Sequence, residues 1–520
     1  MYSIFISTTN IEWTIPASLL TTLTTPSNPS NPSSTTPPPL TTLPQTTILT
    51  PLDLKITSTP TATTLLTHPR TRKYTAEAVT TAFCKRASLA QQLTHCLTET
   101  FFPSVLARAK ALDNHMAQTG EPIGPLHGLP ISLKDSFNPA DTNAALVDIL
   151  LSAGAVLYAK TNIPQTMMTC DSVNNVFGRV LNPHGGNLTA GGSSGGEGAL
   201  LALRGSILGV GTDVAGSIRV PGLCCGVVGF KPSAGRVPYG GVAGSGRSGM
   251  VGGIPVVAGP MGHCVGDMEV WLRAVLGGRP EEGDAGVVGF PWQEVQEVGD
   301  GRLRVGLYVE DASRPLHPNM RRTMKAAVGR LEGAGHTVVD ITEQVPSMAE
   351  ANAIAGRLFS MDPDRTAAKH IERGGEPPID SLAITYTVGE SLPEPSLGEL
   401  YDLNVRKQGI MDRMRRVWLD NALDVIIAPG YQSCAVPHDT YGMPVYTAFW
   451  SLVDYPACVL PFGKANAELD RAELRDVVYE PAYKPEEVEG APCHVQLVGR
   501  RMKDELLMQH AKIVEAVLRE

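Results

Sequence analysis

Several common chemistries are missing from this sequence. Nine cysteines are scattered between Cys84 and Cys493, only Cys224 and Cys225 are adjacent, and no C-x-x-C pair or Cys/His cluster joins them. That excludes a disulfide framework and a structural zinc site, and points to a reducing compartment, with the cytoplasm as the expected location. No segment offers about 18 uninterrupted apolar residues, so no membrane span is expected. The opening MYSIFISTTNIEWTIP lacks the cationic start and apolar run of a secretory signal, and the closing VLRE carries no organelle address. Basic residues are outnumbered, 43 Lys and Arg against 52 Asp and Glu, and form no stripe of the kind a phosphate backbone needs. Nucleic acid is therefore not an expected partner.

What is present fits a globular protein. With 520 residues and 42% hydrophobic content the chain can bury one large core or two to three ordinary ones. From about residue 17 to residue 70 Thr, Pro and Ser dominate, as in TTPSNPSNPSSTTPPPLTTLP, so residues 1–70 read as a partly disordered arm ahead of one domain over 71–520. Inside the arm, Leu52, Leu54 and Ile56 of ILTPLDLKI alternate as in a short strand able to dock. Order begins with a helix in YTAEAVTTAFCKRASLAQQL, capped by Thr75 with Glu77 in its first turn, and SVLARAKALDNHMAQTG is a second helix ending at Gly120.

Beyond Pro125 short apolar runs alternate with helical ones. LPISLKD, AVLYAKTN, SILGVGTD and GVVGFKPS read as strands, and ALVDILLSAG and GEGALLALRG as helices. RLRVGLYVED with HPNMRRTMKAAVGRLEGAGHTVVDI repeats strand, helix and strand, and LDVIIAPG, ACVLPFG and HVQLVGR supply late strands. GGRPEEGDAG and RGGEPPID read as surface loops. The fold class is α/β, with chemistry at strand ends.

The stretch AGGSSGGEGALLALRG, residues 190–205, and GVGTDVAGSIRVPG, residues 209–222, surround Ser193, Ser194 and Ser217 with glycine but contain no histidine. GSSGG matches G-x-S-x-G with Ser194 as the nucleophile of an α/β-hydrolase elbow, yet the residues before it, LNPHGGNLTA, are loop-like. A phosphate cradle at the helix starting near Glu197 lacks both the Lys-Ser/Thr ending and the G-x-G-x-x-G spacing, and Glu197 itself would repel the anion. Glycine clusters also simply permit tight turns and close packing.

Distant pieces join these serines. GLPISLKDSFN puts Lys134 at the end of an apolar strand, AGGSSGG carries Ser193 and GTDVAGSIR carries Ser217. Together with GPLHGLPISLKDSF, AVLYAKTNIPQTMM, NNVFGRVLNP, APGYQSCAVPHDTYG and HVQLVGRRMKDE, these segments make the chain resemble the amidase signature hydrolases over residues 70–518. The likeness is strongest to acetamidase-like fungal amidases and more distant to fatty acid amide hydrolase. It implies a large mixed central β-sheet covered by helices on both faces. It also implies hydrolysis of a small-molecule carboxylic acid amide to the acid and ammonia or an amine, through an acyl-enzyme, with no metal or organic cofactor; a homodimer stays open.

Carried over residue by residue, the resemblance makes Ser217 the nucleophile, Ser193 a bridging serine after a cis peptide bond, and Lys134 the base. The backbone N–H groups of Val214, Ala215, Gly216 and Ser217 match an oxyanion hole, and the Met167 carbonyl lies near the leaving group. Ser194 braces the loop, and Asp213 and Arg219 form a structural ion pair beside the nucleophile. His127, His438 and Asp439 read as structural, Cys170, Cys224 and Cys225 as small buried residues, and Tyr441, Trp450 and Tyr455 as candidates for the acyl pocket. Two alternatives stand beside this reading. One is an esterase of the α/β-hydrolase type working on Ser194. The other is an impaired amidase-fold scaffold, because SLKDSFNPADTNAALVDILL runs almost directly from the lysine strand into the next helix.

Overall fold

Helix boundaries follow their local signals. Thr75 accepts from Ala78 N and starts the helix Ala76–Thr94, which His95 closes in the left-handed region. The helix Phe102–Thr119 ends at Gly120, whose φ of 75° suits glycine. The computed structural model describes residues 14–15, 48–70, 73–137, 143–249, 253–295, 301–385 and 393–520. Most of the arm, and residues 138–142 of the short connection after Lys134, lie outside the described residues.

Eleven strands form one mixed sheet: β1 (Leu97–Thr100), β2 (Pro130–Lys134), β3 (Val156–Thr161), β4 (Leu208–Asp213), β5 (Val228–Lys231), β6 (Val257–Gly262), β7 (Arg304–Leu307), β8 (Thr337–Asp340), β9 (Val425–Ala428), β10 (Ala457–Lys464) and β11 (Pro492–Val498). Their order is β1-β3-β2-β4-β6-β5-β10-β11-β9-β7-β8. Parallel pairs β2/β3, β2/β4, β7/β8 and β7/β9 lie in two groups, and antiparallel strands join them across the middle. β2, β3, β4, β5, β6, β9 and β11 are buried along their whole length, as strands covered by helices on both faces should be, and their buried polar residues include Ser132, Thr212, His494 and Gln496. No helix of the described residues is long and apolar enough to cross a membrane.

Three readings of local structure are corrected. Leu52, Leu54 and Ile56 lie on a helix, Pro51–Thr57, not a strand. Thr50 and Asp53 form a reciprocal capping box and Pro51 occupies the first turn, and these start signals outweigh the apolar alternation. GGRPEEGDAG contains a one-turn helix, Pro280–Gly283. RGGEPPID begins inside the helix Thr366–Gly374 and ends on the first residue of the helix Asp380–Thr385. The helices Pro51–Thr57 and Ala62–Arg70 also pack onto the domain: Ile56, Ala62 and Leu65 are buried, Lys85 pairs with Asp53 at 2.9 Å, and Arg86 donates to Thr57.

Candidate active site

Lys134 is the last residue of β2, all of which is buried. Its Nζ lies 2.6 Å from Ser193 Oγ and 2.7 Å from Thr212 Oγ1, and nothing on it is exposed. Burial pushes the amine down to about 7, against the upward pull of Asp213 and Glu197. Ser193 follows a cis peptide bond from Gly192. Ser194 stands at the head of the helix Gly195–Ala202, and its N–H donates to the Ser217 carbonyl at 3.2 Å, tying the two glycine-rich loops together.

The loop after β4 is shaped by Asp213. Its oxygens accept from the N–H groups of Gly216 at 2.8 Å and Ile218 at 3.2 Å, and from Arg219 Nε and Nη2 at 3.0 Å each. Arg219 also donates to Gln496 and to Ser451, so neither member of this buried pair lacks a partner. Burial works to raise the Asp213 carboxyl, but Arg219 outweighs it and holds the group below its usual value. Gly216 has a φ of 141°, and a Cβ there would meet Thr447 Oγ1 at 2.2 Å, so only glycine fits.

That loop corrects one expectation. The Gly216 N–H points to Asp213 and is not free to receive an oxyanion. Those of Val214, Ala215 and Ser217 have no partner among the described residues. Ser217, Val214 and Ala215 border a cavity of about 350 Å³, as do Gly216 and Met167. The helix Met348–Phe359 lends it Asn352, Ala353, Gly356 and Phe359, and Met443 completes much of the apolar lining. Most polar groups on the wall are engaged: Thr169 donates to the Asp171 carbonyl at 2.7 Å, Ser360 to Gly356 at 2.9 Å, Asn352 to Met348 at 2.7 Å, and Arg357 to Glu399, while Asn352 Oδ1 and Arg357 Nη1 have no hydrogen-bond partner among the described residues.

Tyr441, Trp450 and Tyr455 do not border this cavity; they are buried in the core, where Tyr441 stacks on Tyr431 and Trp450 on Tyr455. Ser194 also departs from the elbow reading. Its Oγ is buried without a hydrogen-bond partner among the described residues, and the preceding strand, Gly185–Thr189, pairs with a two-residue strand and bridges through Leu188 to Pro437, outside the main sheet. His438 is engaged elsewhere, with Asp171 at 3.2 Å and the Gly186 carbonyl at 3.2 Å. Asp171 further accepts from Arg179, which also binds Asp439, so His438 and Asp439 belong to one bracing network. Cys170, Cys224 and Cys225 are buried and free.

Residue-type reasoning did not find three parts of the site. Thr212 sits directly before Asp213, and only the pairing of β2 with β4 brings it to Lys134. Glu197 is close in sequence to Ser193 but finds its partners, Ser132 and Thr161, on β2 and β3. The helix Met348–Phe359 has no chemical motif, only an apolar periodicity that could have marked it as a packed helix.

A family model described as Amidase matches residues 78–508. An amidase from Gibberella moniliformis is 38% identical over 492 residues, covering 91% of this chain and 90% of the relative. An acetamidase from Emericella nidulans is 35% identical over 509 residues, covering 91% of each. Among solved structures, a fatty acid amide hydrolase superposes with a TM-score of 0.86 at 30% identity, over 92% of this chain and 89% of that one.

Proposed function

Because the chain belongs to the amidase family and is a hydrolase acting on amide bonds, we propose that Lys134, Ser193 and Ser217 carry out the reaction through an acyl-enzyme. The observation that carries this reading is the wholly buried Lys134 amine, 2.6 Å from the Ser193 hydroxyl and lowered to about 7. A neutral amine there is a base already in place at ordinary pH, which explains how these serines work without histidine.

Ser217 Oγ forms a bond to the amide carbonyl carbon while its proton passes to Ser193 Oγ and the Ser193 proton passes to Lys134 Nζ. The carbonyl π electrons move to oxygen, and the N–H groups of Val214, Ala215 and Ser217 receive that oxyanion, each donor contributing on the order of 3 kcal/mol. Collapse breaks the C–N bond, and the proton returns along the same path to the departing nitrogen beside the Met167 carbonyl. Water then adds to the acyl carbon, losing its proton towards Lys134; collapse breaks the bond to Ser217 Oγ, which takes that proton back through Ser193, and the acid leaves.

The cavity favours amides with an apolar acyl or aryl group over acetamide itself. Its 350 Å³ falls in the range of sites that enclose drug-sized molecules, roughly 300–1,000 Å³, and Arg357 on its wall is ion-paired with Glu399. A panel of primary amides of rising acyl length is expected to show kcat/KM climbing from acetamide, with fluorophosphonate labelling confined to Ser217. Highest efficiency with acetamide would overturn the size preference. Labelling that survives Ser217→Ala but is lost in Ser194→Ala would overturn the triad.

A further inference from the structure

One buried carboxyl group next to the proposed triad has no part in the scheme above. Glu197 lies four residues after Ser193 on the helix Gly195–Ala202 and is wholly buried. The fold makes space for it: a Cβ at Gly209 of β4 would sit 2.1 Å from Glu197 Oε2. Oε2 is 2.7 Å from Ser132 Oγ, Ser132 Oγ is 3.0 Å from Ser206 Oγ, and Ser206 Oγ is 2.8 Å from the Leu208 carbonyl. Oε1 accepts from the Thr161 hydroxyl at 3.1 Å. No lysine or arginine hydrogen-bonds either oxygen among the described residues.

The protons in this chain can be counted. Leu208 O only accepts, so the Ser206 proton goes to it. Ser206 Oγ must then accept from Ser132, which uses the one proton Ser132 has. The contact between Ser132 and Glu197 is left with no hydrogen unless the carboxyl supplies one. An ionised Glu197 leaves one of three buried contacts empty, whereas a protonated one fills all three in a single direction.

We propose that Glu197 is kept as a neutral carboxylic acid donating to Ser132, and that its neutrality leaves Lys134 without a proton and able to act as the base. The second half rests on the triad reading; the first does not. Glu197 is then a positioning residue that works through Lys134. The groups facing it are Lys134 at the end of β2, Tyr158 on β3 and Cys96 just after the helix Ala76–Thr94. Burial keeps Tyr158 and Cys96 protonated, the latter pushed up to about 12. Asp213, the other carboxyl facing Lys134, already has Arg219, with Lys231 also near. An anionic Glu197 would therefore be the one unbalanced negative charge beside the amine, and would draw a proton onto it. Burial favours the neutral form too, pushing Glu197 up to about 8 against the hydroxyls of Ser132 and Thr161 and the charge of Lys134.

The test is an infrared difference spectrum of wild type minus Glu197→Gln near pH 7, recorded beside rate–pH profiles of both proteins. The expected result is a protonated carboxylic acid band that the variant lacks, with no paired carboxylate bands. Gln keeps both the donor and the acceptor and removes no charge, so the acid limb of the variant's profile should move by less than about half a pH unit. Carboxylate bands in place of the acid band, or an acid limb displaced by more than about one unit, would overturn the proposal. Should the variant not fold, wild-type protein carrying carboxyl-labelled glutamate decides the matter, since absence of any glutamic acid band at pH 7 refutes it. Failure of Ser217 to take the fluorophosphonate while the acid band is present would overturn the triad and leave the protonation of Glu197 standing.

Discussion

Two carboxyl groups stand equally buried on either side of Lys134, and they are handled in opposite ways. Asp213 accepts from Gly216 and Ile218 main-chain N–H groups and from two nitrogens of a guanidinium. Among the described residues Glu197 shares hydrogen bonds with neutral hydroxyls alone, those of Ser132 and Thr161. The first is pulled below its ordinary value and the second pushed above it. Depth is the same for both, so what decides the charge is the number and kind of donors each oxygen receives. The difference suits the positions. The ionised pair braces the loop that presents Ser217, while the neutral acid sits where a second negative charge would load Lys134 with a proton.

This contrast can be broken or sharpened by substitution, beginning with the amine between the two carboxyls. Lys134→Ala is expected to lower kcat by about 10²–10⁴ and to remove the rise of rate with pH through about 7, with the circular dichroism spectrum unchanged. Arg219→Met should cost stability, since it leaves Asp213 a buried anion without its cation; urea unfolding should record a loss of about 3–5 kcal/mol, part of which Asp213→Asn in the same chain restores.

A smaller effect is the pH dependence of stability, which carries opposite signs at the two carboxyls. Glu197 binds its proton more tightly folded than unfolded, so its contribution is complete below an unfolded value near 4.5 and fades as pH climbs towards about 8. Asp213 has its folded value lowered, so its contribution is present above the ordinary 3.8 and fades as pH falls through the folded value. Melting curves should accordingly show Glu197→Gln gaining on wild type between pH 5 and about 8, and Asp213→Asn losing most at neutral pH. The smallest change is Thr212→Val. It removes one of two hydroxyls at the amine, worth about 1 kcal/mol, and because that oxygen supports the charged form, the rise in rate should begin at lower pH.

The sequence made some of this legible and hid the rest for physical reasons. Lys134, Ser193 and Ser217 stand out as candidates only through the family resemblance, which their glycine-rich loops and the strand ending in Lys134 carry, and the expected pairing of Asp213 with Arg219 is present in the structure. The protonation of Glu197 was not legible, because it depends on Ser132, Thr161 and Ser206, which meet only when β2, β3 and β4 pair. The Gly216 N–H, expected beside the other oxyanion donors, bonds to Asp213 instead, because a backbone direction is set by its loop. Aromatic residues near the late motifs suggested a pocket, yet Trp450 and Tyr441 were needed in the core, and alanine, glycine and methionine form the wall instead. The alternation at Leu52, Leu54 and Ile56 showed how three residues can fit either period when capping is left out.

The cavity draws on three distant parts of the chain. Residues up to Ser217 hold every group through which a proton is proposed to pass, whereas Ala353, Gly356 and Phe359 of the helix Met348–Phe359, and Ser360 just after it, border the same space and share none of those hydrogen bonds. Much of the wall can therefore change without touching a group through which a proton is proposed to pass. A duplicated copy can drift along that helix and acquire a new diet of amides while its chemistry stays intact, and a directed-evolution library confined to these four codons can retrace the same path in the laboratory.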